Sequence, residues 1–180
     1  MNNKIVTITA GHSNTDSGAV GFGVKESDLA IKFRNAVTTY LKAQNILVRN
    51  DGVGTDNKDL KHAISLIKGS DLAIEWHMNA ATNPSAKGVE TISLPKDKAL
   101  SQQLSQTIAR VFNSKVRGDK GWIDQSQSAR GKLGYVSNGG LIVELGFISN
   151  KEELDTFNSS YWIAAKEVST VIINYLKEVK

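Results

Sequence analysis

The chain has 180 residues, 40% of them apolar, which is enough for one domain with a real core but would leave two domains small. It contains no cysteine, so disulfides, thiolate catalysis and cysteine-ligated zinc are excluded, and any metal must rest on histidine and carboxylate. The net charge is +4, from 22 basic against 18 acidic residues spread along the chain, which reads as a solvated surface rather than a nucleic-acid patch.

The first residues run straight into a strand pattern, without the charged segment and apolar stretch of a signal peptide. No run approaches the roughly 20 apolar residues of a membrane helix, so no membrane insertion is expected. The β-branched run Ile5–Ala10 predicts a strand that ends on Gly11-His12. A polar loop with Gly18 leads to a helix over 26–42, where Leu29, Phe33, Ala36, Val37, Tyr40 and Leu41 recur at helical spacing. A short strand over 46–50, a glycine-broken loop over 51–56 and a helix over 59–68 stopped by Gly69 follow.

Residues 71–78 read as a strand ending in a second histidine, His77. A loop over 79–87 precedes a strand over 88–94 and a helix over 99–116 carrying Leu100, Leu104, Ile108 and Val111. Residues 117–132 are weakly patterned, and loops of that length tend to be functional. Residues 133–136 are a candidate strand and 141–145 a clear one, and two helices, over 151–157 and 161–179, close the chain. This alternation predicts a single α/β domain over 1–180, with a mostly parallel twisted sheet of about five to six strands and helices on both faces.

A parallel sheet gathers the C-terminal ends of its strands along one rim, where α/β folds open their ligand crevices. His12 follows the first strand, His77 ends the third, Glu144 ends the last, and Glu26 opens the helix that starts from that rim. These four can converge although scattered in sequence. Two imidazoles and a carboxylate with one open position form a catalytic zinc site, and a further carboxylate is what hydrolysis needs as base and acid. Each residue also has a plainer reading: His12 and His77 as satisfied loop or strand-end histidines, Glu26 as an acid favoured by the first-turn helix dipole. Glu144, flanked by Val143 and Leu145, is the hardest to dismiss, because carboxylates are rarely buried without a partner. His62, among Lys58, Asp59 and Lys61, reads as a surface histidine.

The words Gly11-His12 with Asp16 and Gly18-Ala19, then Glu26, then His77-Met78-Asn79-Ala80, Gly88-Val89-Glu90 and Val143-Glu144-Leu145-Gly146-Phe147-Ile148-Ser149-Asn150 run in this order over nearly the whole chain. In them the sequence resembles the zinc-dependent N-acetylmuramoyl-L-alanine amidases of the amidase-3 type, which include phage endolysins and bacterial autolysins. The resemblance implies one Zn2+ per chain on His12, Glu26 and His77, with Glu144 as catalytic acid and base. It also implies hydrolysis of the amide between N-acetylmuramic acid and L-alanine in peptidoglycan.

The chain departs from the family pattern at Ser13-Asn14, where many relatives have two glycines, and at Glu75-Trp76, where a serine and an aliphatic residue are frequent. Glu75 and His77 are two apart on a strand and share a face, so Glu75 is a candidate to orient that ligand from behind. Candidates for substrate contact are Asn79 at the cleft, Arg130, whose guanidinium matches a carboxylate, and Trp122, whose ring can stack on a sugar or simply pack. The expected partner is peptidoglycan, with neither nucleic acid nor membrane, and a monomer is expected. With no signal peptide or separate wall-binding domain recognised, the expected setting is a phage endolysin, kept in the host cytoplasm until lysis and then acting on the wall. Two other readings stay open: a zinc peptidase cutting elsewhere in the stem peptide, and a non-catalytic basic wall-binding module.

Overall fold

Along the first strand, β1 (Ile5–Ala10), Val6 and Ile8 point to one side of the sheet while Thr7 and Thr9 point to the other, and all four are buried. That alternation sets the plan of the molecule. The structure is a computed structural model describing residues 4–128 and 131–178. A two-stranded hairpin, β2 (Val20–Gly21) and β3 (Val24–Lys25), turns through Phe22 and Gly23, both at positive φ, and delivers the chain to α1 (Glu26–Ala43). Then come β4 (Leu47–Arg49), α2 (Leu60–Ile67), β5 (Leu72–Asn79), β6 (Glu90–Ser93), α3 (Lys98–Val111), β7 (Trp122–Asp124), α4 (Gly134–Ser137), β8 (Leu141–Phe147) and α5 (Lys151–Glu178).

The main sheet has six strands in the order β4-β1-β5-β8-β6-β7. The first four are mutually parallel, while β6 runs against β8 and β7 runs parallel to β6. Helices cover both faces, as expected. The larger core lies under α1, α3 and α5, where Ile74, Trp76, Met78, Val143 and Leu145 meet Leu29, Phe33, Leu104, Phe157 and Val168. Among the described residues the other face is covered by the short α2 and α4, with Ala63, Tyr135 and Val136 on Ala73, Ile92 and Ile142. By the two-residue period of the strands, Glu75, His77 and Glu144 must project on this thinner side, toward the rim where its cover ends.

Three expected elements differ. Residues 133–136 do not form a strand: Leu133 leads into the single helical turn α4, and the Gln125 carboxamide oxygen ties the two by accepting from the Leu133 amide and the Ser137 hydroxyl. A short apolar run cannot by itself distinguish the two forms. The expected helix over 99–116 stops at Val111, because Asn113 takes a left-handed conformation, φ 49°. Val116 beyond it then pairs with Val89. The two expected C-terminal helices are one, α5, which runs unbroken through Asn158-Ser159-Ser160. Stacked Phe157 and Tyr161 rings, 5.5 Å apart, and buried Ala164 and Ala165 anchor either side of those weak helix formers.

Candidate metal centre

The site begins at Gly11, where β1 ends. Gly11 donates its amide to the Trp76 carbonyl, and His12 turns the chain sharply in the left-handed region, φ 69°. The turn is built from beneath by a buried ion pair, Arg34 to Asp51 at 3.0 Å. The second Asp51 oxygen accepts the Ala10 amide, and Arg34 also donates to Asn57, whose carboxamide reaches the Gly11 carbonyl. Burial pushes the Asp51 carboxyl up despite Arg34 beside it, which marks this as a dry knot rather than a surface bridge.

Glu26, the first residue of α1, is nearly inaccessible, and its carboxylate is held from four sides. Oε2 accepts the Ala19 amide and stands 2.9 Å from His12 Nε2, while Oε1 accepts the Met78 amide and stands 3.0 Å from His77 Nδ1. Burial alone would raise its pKa, but the two histidines outweigh that and hold it far below the usual carboxylate range. The outer nitrogen of each imidazole also meets a carboxylate: His12 Nδ1 lies 3.0 Å from Asp16 and His77 Nε2 lies 3.0 Å from Glu75. This fixes the ring orientations, with an N–H outward on each ring and the inner nitrogens, His12 Nε2 and His77 Nδ1, turned toward Glu26.

One atom in this cluster is unsatisfied. His12 Nε2 is buried and close to Glu26 Oε2, yet lacks the angle of a hydrogen bond. The inner donor atoms of His12, Glu26 and His77 aim at a shared space, and one from each residue lies within 4.8 Å of the others. Two donors about 2.1 Å from a tetrahedral ion stand roughly 3.4 Å apart, so the Glu26 oxygens, 2.9 and 3.0 Å from the two imidazole nitrogens, need to draw back by only about half an ångström to admit one. Two glycines leave room for these side chains. A β-carbon on Gly18, at φ 63°, would sit 2.4 Å from His12 Nε2, and one on Gly11 would enter the His77 ring. The three residues fit a metal ion.

Beside them, His77, Glu144 and Glu90 stand in one row across adjacent strands, His77 in register with Glu144 and Glu144 opposite Glu90. His77, Glu144, Glu90, Asn79 and Arg117 line a cavity of about 220 Å3 whose floor is Ile92, Ile123 and Ile142. A second cavity of about 420 Å3 opens on the other side of His77 and Ile142, between His12, Asp16, Asp59, Leu60, Leu133 and Tyr135. The centre therefore sits at the middle of a two-armed cleft.

Asn79, expected at the cleft, lines the first cavity and donates to Glu90. Trp122 points the other way. In register with Thr91, it faces α3, donates to Ser93 and lies under the Lys98 ammonium, while its neighbour Ile123 faces the cavity. Arg130 lies outside the described residues. His62 is exposed on α2. Three residues now beside the site had no assigned part in the sequence reading: Asp16, four after His12; Glu90, a carboxylate in an apolar strand like Glu144; and Arg117, in the unpatterned stretch.

A metal-using hydrolase needs what this rim offers, an open-sided set of nitrogen and oxygen donors with another carboxylate at hand. The fold and the donor set fit that class of chemistry, and comparison with known proteins shows the family. The profile of the family Amidase_3, N-acetylmuramoyl-L-alanine amidase, matches residues 6–174. The crystal structure of the putative N-acetylmuramoyl-L-alanine amidase from Neisseria meningitidis superposes with TM-score 0.89 at 39% identity, over 97% of this chain and 96% of that one. An endolysin of Bacillus phage SPP1 is 28% identical over 83% of this chain and 57% of its own length. Probable autolysin PH of Staphylococcus aureus is 24% identical over 94% of this chain. The chain spans only 38% of that autolysin. The chain belongs to the N-acetylmuramoyl-L-alanine amidase family.

Proposed function

We propose that the protein is a zinc-dependent amidase that cuts the bond between N-acetylmuramic acid and the L-alanine of the stem peptide in peptidoglycan. The observation that carries this is the buried, unsatisfied His12 Nε2 facing Glu26 and His77, with Glu144 one strand away in register. His12, Glu26 and His77 hold one zinc ion. When bound, zinc supplies Lewis acidity, polarising an amide carbonyl and acidifying water toward pH 7. Glu144 takes the proton of the attacking water and delivers it to the alanine nitrogen as the C–N bond breaks. Glu75 and Asp16 keep the two imidazoles in the tautomers that leave His77 Nδ1 and His12 Nε2 free for the metal.

The likeness to the SPP1 endolysin supports a biological role in host lysis, with the enzyme released from the host cytoplasm onto the wall. No described helix is long and apolar enough to cross a membrane. The test is metal analysis of the purified protein joined to mass spectrometry of digested peptidoglycan. Stoichiometric zinc, free lactyl ends on muramic acid and new N-terminal L-alanine are expected. New termini within the stem peptide would make it a peptidase instead, and chelator-insensitive lysis would remove the metal from the mechanism. Lysis of a host culture on co-expression with a membrane-permeabilising partner tests the endolysin role.

A further inference from the structure

Arg117 is the residue near the centre whose chemistry the reaction leaves unused. It is also a positioned one. Its Nε donates to Glu90 at 2.6 Å, its guanidinium lies 5.0 Å over the Phe147 ring, and its Cγ packs where a β-carbon on Gly88 would sit, 2.8 Å away. Glu90 is itself fixed by the Asn79 carboxamide and stands opposite Glu144. An arginine has five N–H donors, and only the Nε–H is engaged among the described residues, so the two terminal nitrogens are left at the cavity wall. A guanidinium oriented on one edge and open on the other matches a carboxylate.

The two arms of the cleft differ in charge. Among the described residues, the arm beyond His12 carries Asp16, Asp59 and Glu75 and neither lysine nor arginine, which disfavours a carboxylate. The arm beyond Glu144 also holds the carboxylates of Glu90 and Glu144, but it carries Arg117, and Ile92, Ile123 and Ile142 beside it suit small aliphatic side chains. Arg117 lies past Glu90, one strand spacing of ~4.8 Å from Glu144 plus the length of a side chain. Measured between side chains, the Arg117 Nε is 2.6 Å beyond the Glu90 carboxylate and so about 7 Å along from Glu144, which an extended peptide advancing ~3.3–3.6 Å per residue covers with the second residue after the scissile bond.

We propose that Arg117 binds a free carboxylate on the residue following L-alanine in the stem peptide, which makes the Arg117 arm the peptide subsite and the His12 arm the glycan subsite. This rests on the amidase reading above. The test uses the zinc-loaded protein on two probes, muramyl-L-alanyl-D-glutamate and its carboxamide, muramyl-L-alanyl-D-isoglutamine, with the variants Arg117→Gln and Arg117→Lys. The wild type is expected to favour the acid by about tenfold or more in kcat/KM, carried mainly by KM, as a charge-assisted hydrogen bond implies. Arg117→Gln should abolish that preference by lowering kcat/KM on the acid about tenfold more than on the carboxamide, and Arg117→Lys should keep part of it. Equal cleavage of both probes by the wild type, or equal losses on both in Arg117→Gln, overturns the proposal and leaves Arg117 a structural partner of Glu90. Failure to release either dipeptide from the sugar by zinc-loaded protein is a different result, and sinks the amidase reading itself.

Discussion

Gly11 stands so close to His77 that a β-carbon at position 11 would lie 2.2 Å from the imidazole Cε1. The turn that presents one histidine therefore also makes room for the other. Gly11→Ala is expected to fold, because its backbone conformation suits any residue, but to displace His77 and lose metal. Circular dichroism unchanged from the wild type, with zinc content well below one per chain, is the expected pair of measurements.

Glu144 and the metal-facing residues separate by their effect on metal. Glu144→Gln should keep zinc and lose about 10²–10⁴-fold in turnover, the usual contribution of a positioned acid and base. His77→Ala should lose both. Equal zinc loss in the two variants would make Glu144 a ligand instead.

Glu75 acts through His77. Removing its carboxylate in Glu75→Ala leaves the imidazole free to change tautomer, and zinc affinity is expected to fall about 10–100-fold. Competition titration against a chelator of known affinity reads this directly. Glu75→Gln, which can still accept from His77 Nε2–H, should recover part of the loss.

Protons compete with metal at this centre. In the metal-free protein both imidazoles are raised above 6.5. Burial opposes the shift in each, and is outweighed by Glu26 and Asp16 at His12 and by Glu26 and Glu75 at His77. A raised histidine contributes stability to the metal-free fold that is complete below 6.5 and disappears as the pH climbs through the folded value. Metal requires the neutral rings, so zinc affinity should rise over that same interval, with proton release on binding. Calorimetry in buffers of different ionisation enthalpy counts those protons; an affinity flat from pH 6 to 8 would contradict the coupling.

The Arg34–Asp51 pair is expected to matter more for stability than any exposed ion pair in the protein. Arg34→Leu strands a buried carboxylate and should cost about 3–5 kcal/mol in chemical denaturation, whereas Lys151→Ala, which breaks an exposed pair with Asp155, should cost under about 1 kcal/mol. Because Asp51 and Asn57 brace the backbone at Ala10 and Gly11, the Arg34 variant should also bind zinc more weakly.

Much of this was legible in the chain itself. Strand periodicity put Glu75 and His77 on one face, and the common rim of a parallel sheet gathered His12, Glu26, His77 and Glu144. What escaped was held by tertiary contact. Residues 133–136 are apolar enough for a strand, and only Gln125 and the layer beneath α4 make them helical. The reversal of β6 cannot be read from its composition, and without it Glu90 would not face Glu144. Arg117 drew no notice because it stands in a stretch without pattern, and its meaning comes from Glu90, Phe147 and Gly88, none of them a sequence neighbour.

The sheet keeps its two tasks on opposite sides. Trp76, Met78, Val143 and Leu145 anchor the larger core, while the interleaved Glu75, His77 and Glu144 project toward the thin cover of α2 and α4. Substrate preference can therefore drift, or be redesigned, at side chains on the thinner side while the larger core under α1, α3 and α5 stays as it is. A library centred on the exposed Gln127, with conservative apolar changes at the half-buried Ile123 and Leu133, samples new wall chemistries while the larger core stays unaltered, and most of its members should melt close to the parent.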